Sequence, residues 1–464
     1  MRVYSNIIFL LISFLGFSQD NSNSLGLEEY LGYVKKFHPI VKQAQLITSE
    51  GEAKLLKSRG AFDPKLEVDF ANKKFKNSTY YDKLNATFKI PTWYGIELKA
   101  NYENNEGTYL NPEFNTPEDG LYTAGISVSL AKGLLINKRM ATLKQANLYT
   151  NQAEAKQKLI INEILFEAIS GYFNWLKGYQ EKLVFEGYLV NAENRLNIVR
   201  KSYLAGDKPA VDTLEASINL KNRKLDLEKA SIKYIKSKLE LSNYLWLEDN
   251  LPLELEQDIV PDANTINTID LVLNSSVLNI ENDDFIQNHP KIKELQFKQE
   301  SLLIEKRLKL NNLLPKIDVE YNFLSTDYEN INTFNTANYK SGLNISLPLF
   351  LRKERGDLAL AKLKLKDIAF DISATEVSLK NKVNATVQEI DSYRKQYQIL
   401  KNLVINYKQL VTSEERKFSL GEGSLFLINY REVKLIETEL KRIDAEFNIF
   451  ISKSNLSRVI NNLY

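Results

Sequence analysis

The side chains that most often perform catalysis or hold metals are scarce in this chain, and where they occur they repeat. Its only two histidines, His38 and His289, stand 251 residues apart, and each directly precedes a proline, Pro39 and Pro290. Two imidazoles with no cysteine at all supply too few donors for a zinc or copper site, which draws on several His or Cys ligands. The lack of cysteine also removes disulfides and thiolate chemistry. Met140 is the only methionine beyond Met1, so the composition gives no sign of soft-metal handling. The neighbouring carboxylates Glu414 and Glu415 fall in a helical pattern, where their charges are most simply solvated. No nucleophile, base and orienting group follow one another, and no phosphate-binding loop is visible. The expectation is no catalytic residue, no cofactor and no metal ligand. The paired His-Pro steps read instead as helix starts, because proline is best tolerated in a first turn.

The repetition extends beyond the histidines. Asp63-Pro64-Lys65-Leu66-Glu67-Val68 is echoed by Leu314-Pro315-Lys316-Ile317-Asp318-Val319. Arg200-Lys201-Ser202-Tyr203-Leu204-Ala205-Gly206 is echoed by Glu415-Arg416-Lys417-Phe418-Ser419-Leu420-Gly421. So long a period marks a duplicated unit, not a solenoid of short modules.

The elements that must position these residues follow from composition and periodicity. A net charge of +2 over 464 residues lacks the concentrated basic excess of a nucleic-acid binder. At the N-terminus, Arg2 precedes an apolar stretch from Ile7 to Phe17, and Gly16-Phe17-Ser18 forms a small-x-small step before Gln19. That is the pattern of a secretory signal peptide over 1–18, a membrane anchor being the alternative. No cysteine follows the step to take a lipid, and no later apolar run approaches the roughly 20 residues of a spanning helix. A membrane-spanning mature chain would therefore have to be a β-barrel.

Residues from Leu27 to about Ser58 are helical in pattern; the period then changes to two. Leu66, Val68 and Phe70 alternate with Glu67 and Asp69, and similar runs follow at Leu84–Ile90, Tyr94–Tyr102, Tyr122–Leu130, Ile317–Phe323 and Tyr339–Leu347. Six strands with one apolar and one polar face suit a barrel with lipid outside and water inside, or equally a soluble sheet packed on helices. Trp93, Tyr94, Tyr80, Tyr81 and Tyr122 fit an interfacial aromatic girdle or ordinary sheet aromatics. Proline is absent from about Asn137 to Leu204 and from about Arg352 to Leu420, leaving two helices of roughly 100 Å each. Helices of that length indicate coiled-coil packing. The seam reads Val383, Val387, Ile390, Tyr393, Tyr397, Leu400, Val404, Tyr407, Val411 in one, and Leu189, Ala192, Leu196, Val199, Tyr203 in the other. Gly206 and Gly421 then permit a left-handed cap before second helices at about 210–247 and 425–461.

Helix, strands, long helix, glycine turn and helix, given twice after a signal peptide, resemble the TolC family of outer membrane efflux channels. The marks of the resemblance are the His-Pro steps, the Asp63-Pro64 and Leu314-Pro315 strand starts, and the run Gly342-Leu343-Asn344-Ile345-Ser346-Leu347-Pro348-Leu349-Phe350. The turns at Gly206 and Gly421 are similar to the family's periplasmic tips. On this reading residues 19–249 and 288–464 are two repeats, joined by an equatorial segment over 250–287. The resemblance implies an α+β membrane protein: an internally duplicated, trimeric β-barrel continuing into a long α-helical coiled-coil barrel. It further implies a homotrimer in outer membrane lipid, with a periplasmic adaptor (membrane fusion protein) docking on tips that include Gly206, Asp207, Gly421 and Glu422. The implied function is the passive exit duct of an efflux or type I secretion system fed by an inner membrane transporter, with no nucleic acid involved. The alternative is a non-conducting coiled-coil protein of the cell envelope.

Two departures from the family pattern stand out. Pro64 to Gly125 spans 61 positions whereas Pro315 to Gly342 spans 27, and the surplus holds two further alternating runs joined by Pro91-Thr92-Trp93. Either the shared barrel gains strands, eighteen instead of the family's twelve, or a hairpin stands outside the membrane. At the gate, the family's acidic positions after the tip glycine correspond to Asp212 and Glu215 in the first repeat but to Leu427 and Tyr430 in the second. The acids would attract cations at a narrow entrance, or serve simply as acids favoured at a helix N-terminus.

Overall fold

The computed structural model describes residues 23–272, 284–333 and 335–463. The expected signal peptide and residues 273–283 of the expected equatorial segment lie outside them. The chain forms two compact units, one from residues 34–170, 273–399 and 448–464, the other from residues up to 33, 171–272 and 400–447. Four helices, α1 (Leu27–Phe37), α3 (Lys138–Leu204), α8 (Arg352–Ser419) and α9 (Leu425–Val459), contribute to both.

The first unit contains a six-stranded sheet: β2 (Lys65–Phe75), β3 (Ser78–Pro91), β4 (Ile96–Glu106), β5 (Leu121–Ser129), β7 (Lys316–Ser325) and β8 (Tyr339–Ser346). Their order in space is their order in sequence, and every pair is antiparallel. The sheet is open, and its two edges, β2 and β8, are exposed along their whole lengths. Alternation sets the two faces as expected, with Leu98 opposite Ile126 and Val319 opposite Leu343 on the apolar one.

Each repeat reaches its first strand through a helix, α2 (Pro39–Arg59) or α7 (Pro290–Asn311). The helical pattern from Leu27 is in fact broken in two, α1 (Leu27–Phe37) and α2. A residue before proline is pushed to extended backbone, and His38 sits at φ −62°, ψ 131°. Its Nδ1 accepts the Ile40 N–H at 3.2 Å, and His289 Nδ1 accepts from Lys291 N–H at 3.1 Å. Both histidines are therefore N-caps. His289 is buried, and its Nε2–H donates to the Val459 carbonyl at 3.0 Å, which fixes the neutral tautomer. Burial depresses its pKa, and Lys291 adds to the effect.

In the other unit, β1 (Ser24–Leu25) and β6 (Val260–Pro261) form a short parallel pair. Around them Tyr30, Tyr172, Phe173, Trp175 and Leu241 are almost fully buried. Tyr172 Oη donates to the Leu25 carbonyl at 2.8 Å and lies 2.9 Å from Thr265 Oγ. The segment after α4 (Ala210–Ser242) is held there too, since Lys238 Nζ donates to the carbonyls of Gln257 (3.1 Å) and Ile259 (3.0 Å). α4 stops at Ser242, short of the expected 247, because the chain turns to form a bridge between Trp246 and Pro252; two short helices, α5 (Thr265–Val272) and α6 (Asp284–Asn288), come before α7 in the chain. α9 (Leu425–Val459) ends in a turn with Asn461 at φ +58° and its neighbour Asn462 N–H bonded back to the Ser457 carbonyl.

The expected seam of α8 needs one correction. Thr386, 4% exposed, occupies the place assigned to Val387, which is 38% exposed. The buried or half-buried positions 383, 386, 390, 393, 397, 400, 404, 407, 411 and 414 step strictly by three and four. A valine one position off the 3.5-residue repeat faces outward whatever its hydrophobicity. In α3, Ala192, Leu196 and Val199 are buried, but Tyr203 is 44% exposed.

Candidate functional site

The candidate gate and docking residues all belong to the second unit, on the end of α3, the start of α4, the end of α8 and the start of α9. Each long helix closes with the same turn. Gly206 has φ +83° and Gly421 φ +82°. The N–H of Asp207 bonds to the Ser202 carbonyl and that of Glu422 to the Lys417 carbonyl, both at 2.9 Å. Gly206 N–H bonds to Tyr203 O and Gly421 N–H to Phe418 O, completing a Schellman cap at both tips. A Cβ at either glycine would meet no atom within 4 Å, so left-handed backbone, not crowding, selects glycine. Asp207 and Glu422 lend their backbones to the caps and leave their side chains exposed. Lys208 Nζ lies 4.2 Å from the Phe418 ring centroid, linking the two turns.

The four candidate gate residues divide by repeat. Asp212 and Glu215 are half-buried in the first two turns of α4. Glu215 Oε1 accepts from Asn429 Nδ2 of α9 at 3.0 Å. Leu427 and Tyr430, 38% and 53% exposed, lie on α9, where Tyr430 stacks on Phe426 with ring centroids 6.5 Å apart. The acidic member Glu215 is thus tied down within the chain, while the apolar pair stands free on its surface.

Behind them lies a buried polar cluster that the sequence reading missed. Arg195 Nη2 donates to Glu432 at 2.8 Å and to Glu415 at 2.9 Å, and Arg195 Nη1 reaches Asn429 Oδ1 at 3.4 Å. Asn429 Oδ1 also accepts from Asn219. Arg223 faces the other oxygen of Glu432 at 3.7 Å, too far for a hydrogen bond, and Nη1 of the same arginine bonds Asp226 at 3.0 Å. Glu432 is 1% exposed, Arg223 5%. Burial works against the charge of Arg195, but the bonds from Glu432 and Glu415 outweigh it and raise the pKa. Tyr188 on α3, whose Oη donates to Glu439 at 3.0 Å, is pushed upward by burial and by that carboxylate. A sequence signal existed on α9, where Glu432 and Glu439 continue the three-four steps of the buried Leu425, Ile428 and Leu435, whereas Arg195 stands one position off the α3 seam. A charge at such a position fixes register more than it adds stability.

In the other unit, the sheet provides a second candidate surface. Its polar face carries paired charges, Lys89 with Glu67 and Lys99 with Glu320. Its apolar face ends in aromatics beside the loops, with Tyr102 and Tyr122 rings 4.8 Å apart and Tyr321 stacked on Tyr339 at 5.5 Å. At the opposite end Trp93 stacks on Phe62 at 5.6 Å. Among the described residues no helix is long and apolar enough to cross a membrane.

Comparison with known proteins bears on both surfaces. Residues 283–459 match the family described as Outer membrane efflux protein. Among solved structures, the chain is similar to CusC, described as forming a transmembrane channel, with a TM-score of 0.66 and 13% identity over 94% of this chain and 91% of that one. It is also similar to the Campylobacter jejuni CmeC outer membrane channel (0.64, 13%, covering 96% and 86%). The outer membrane protein VceC of Vibrio cholerae gives 0.64 and 12%, covering 94% and 96%. At such identities the likeness is one of fold. No characterised protein matches the chain by sequence alone.

Proposed function

With its second repeat inside the outer membrane efflux protein family and nearly its whole length in the fold of such channels, we infer that this chain is the outer membrane exit duct of an efflux or type I secretion system. The observation that carries the reading is the open sheet, apolar on one face and charged on the other, on a chain that also carries two long helices. An open edge in lipid leaves backbone groups unpaired at several kcal/mol each, so copies of the chain must share one barrel. The homotrimer places the sheets in the outer membrane and the long helices in the periplasm as a coiled-coil tunnel. Solutes delivered by an inner membrane transporter and a periplasmic adaptor cross by diffusion, and the chain does no chemistry. The turns at Gly206–Asp207 and Gly421–Glu422 dock the adaptor. Asp212 and Glu215 with Leu427 and Tyr430 form the periplasmic constriction, half acidic and half apolar.

Single-channel recording of the purified mature protein in planar bilayers tests this reading. Discrete conductance steps from a species of trimeric mass are expected; a monomer in detergent that never conducts would leave the coiled-coil scaffold as the better account.

A further inference from the structure

The first repeat has two strands more than the second, and their position in the sheet is informative. β2 matches β7 through Pro64 and Pro315, and β5 matches β8 through Gly125 and Gly342. The surplus is therefore the hairpin β3–β4. In the second repeat the matching strands are neighbours, β7 against β8. In the first they are not: β3 and β4 lie between β2 and β5, fully hydrogen-bonded on both sides.

Three further observations make the hairpin a structural member of the sheet. Lys99 of β4 reaches Glu320 of β7 at 3.3 Å, passing over β5. It crosses at its register partner Gly125, where a Cβ would collide with Asn322 and the Tyr321 carbonyl. The polar face of the added strands is thus continuous with that of the second repeat. The inner turn of the hairpin is also tied to the helical end: Asn137 Nδ2 donates to the Trp93 carbonyl at 3.1 Å, and Ser129 N–H to the Gly95 carbonyl at 2.7 Å. Gly95 packs so closely on Gly133 that a Cβ would lie 2.8 Å from that carbonyl oxygen.

We propose that β3–β4 widens the duct: three copies close an eighteen-stranded barrel by pairing β8 of each copy with β2 of the next. The proposal rests on the trimeric duct reading. An even number of strands leaves β2 and β8 running in opposite directions, so the seam between copies continues the antiparallel order. At 4.7–4.9 Å between strands and the usual tilt, eighteen strands enclose a backbone diameter of about 35 Å, against about 23 Å for twelve. After side chains are subtracted, roughly twice the width remains at the exit. The cargo class that such an exit favours is bulkier solutes than a twelve-stranded barrel of the same tilt passes.

The absence of cysteine makes thiol cross-linking in whole outer membranes a clean test. In the eighteen-stranded barrel, Leu98→Cys with Ile126→Cys, register partners on neighbouring strands, joins within one chain through a reagent shorter than about 6 Å. Val68→Cys with Ile126→Cys stays unjoined, because three strand spacings separate them. If the hairpin stands outside the barrel, β2 meets β5 as β7 meets β8, and the second pair joins while the first does not; that outcome overturns the proposal. Val68→Cys combined in turn with Ser341→Cys, Leu343→Cys or Ile345→Cys reports the seam between copies. Absence of any cross-linked dimer or trimer there defeats the trimer, whatever the strand order. Should the variants fail to assemble, polymer exclusion on the unaltered protein decides: polymers about 15–20 Å across, added from the external side, enter an eighteen-stranded exit. Their exclusion overturns the wider barrel.

Discussion

The two repeats of this chain agree in backbone and differ in side chain. His38 and His289 cap α2 and α7 with the same geometry, and Gly206 and Gly421 end α3 and α8 within one degree of φ. After the glycines the repeats part: Asp212 and Glu215 in the first correspond to Leu427 and Tyr430 in the second. Above the strand starts, four strands stand against two. Residues that fix dihedrals or satisfy orphan N–H groups are shared, because each copy of the fold needs them. At the four candidate gate positions, which are half-buried or exposed and fix no backbone geometry, the residues differ. The proposed duct, built from both repeats, would mix an acidic and an apolar lining.

The comparison breaks most readily behind the tip, where symmetry is absent. Glu432→Ala leaves Arg195 and Arg223 buried with one carboxylate fewer. A loss of about 3–5 kcal/mol is expected, read as a lower thermal midpoint or loss of the assembled species. Glu432→Gln recovers only part of it.

At the tips the repeats should behave alike. Gly206→Ala and Gly421→Ala each force a side chain into the left-handed region at about 1–2 kcal/mol, and the two costs should agree because neither site is crowded. Asparagine at either position costs less. Unfolding midpoints that differ widely between the two variants would show that the tips are not equivalent.

The histidine caps give a smaller, pH-dependent effect. His289→Ala should cost roughly 1 kcal/mol. Because burial depresses the His289 pKa, its contribution is fully present above the ordinary histidine pKa of about 6.5. It falls away as pH drops through that value toward the lower folded one, since the unfolded imidazole takes the proton first. His289→Asn keeps a capping oxygen and should flatten this part of the stability–pH curve; an unchanged slope would place the acid sensitivity elsewhere.

The smallest effect is at the gate. Asp212→Leu with Glu215→Tyr, which makes the first repeat resemble the second, should lower cation preference by a few-fold. Reversal potentials in a salt gradient measure it, and an unchanged potential would reduce both acids to helix-terminal residues.

Much of this was legible beforehand. The His-Pro caps, the tip glycines and the alternating strands follow from local rules: proline restricts its predecessor, glycine alone takes positive φ freely, and a period of two divides a sheet into faces. The misses share a cause. Along α8, hydrophobicity points to Val387 where the stricter 3.5-residue step selects Thr386. For Arg195 and Glu432 the sequence places a charge at the surface, where charges ordinarily lie, and only packing shows that each is the other's partner.

By itself, then, the sequence determined the duplicated plan of the chain, its two-faced strands and its long helices, because each depends on residues close together along the chain. Tertiary structure alone decided where the surplus hairpin goes and which charges are buried. Strand neighbours and ion partners are set by hydrogen bonds and Coulomb contacts between distant segments, as in the reach of Lys99 over Gly125 to Glu320, and no local period encodes them.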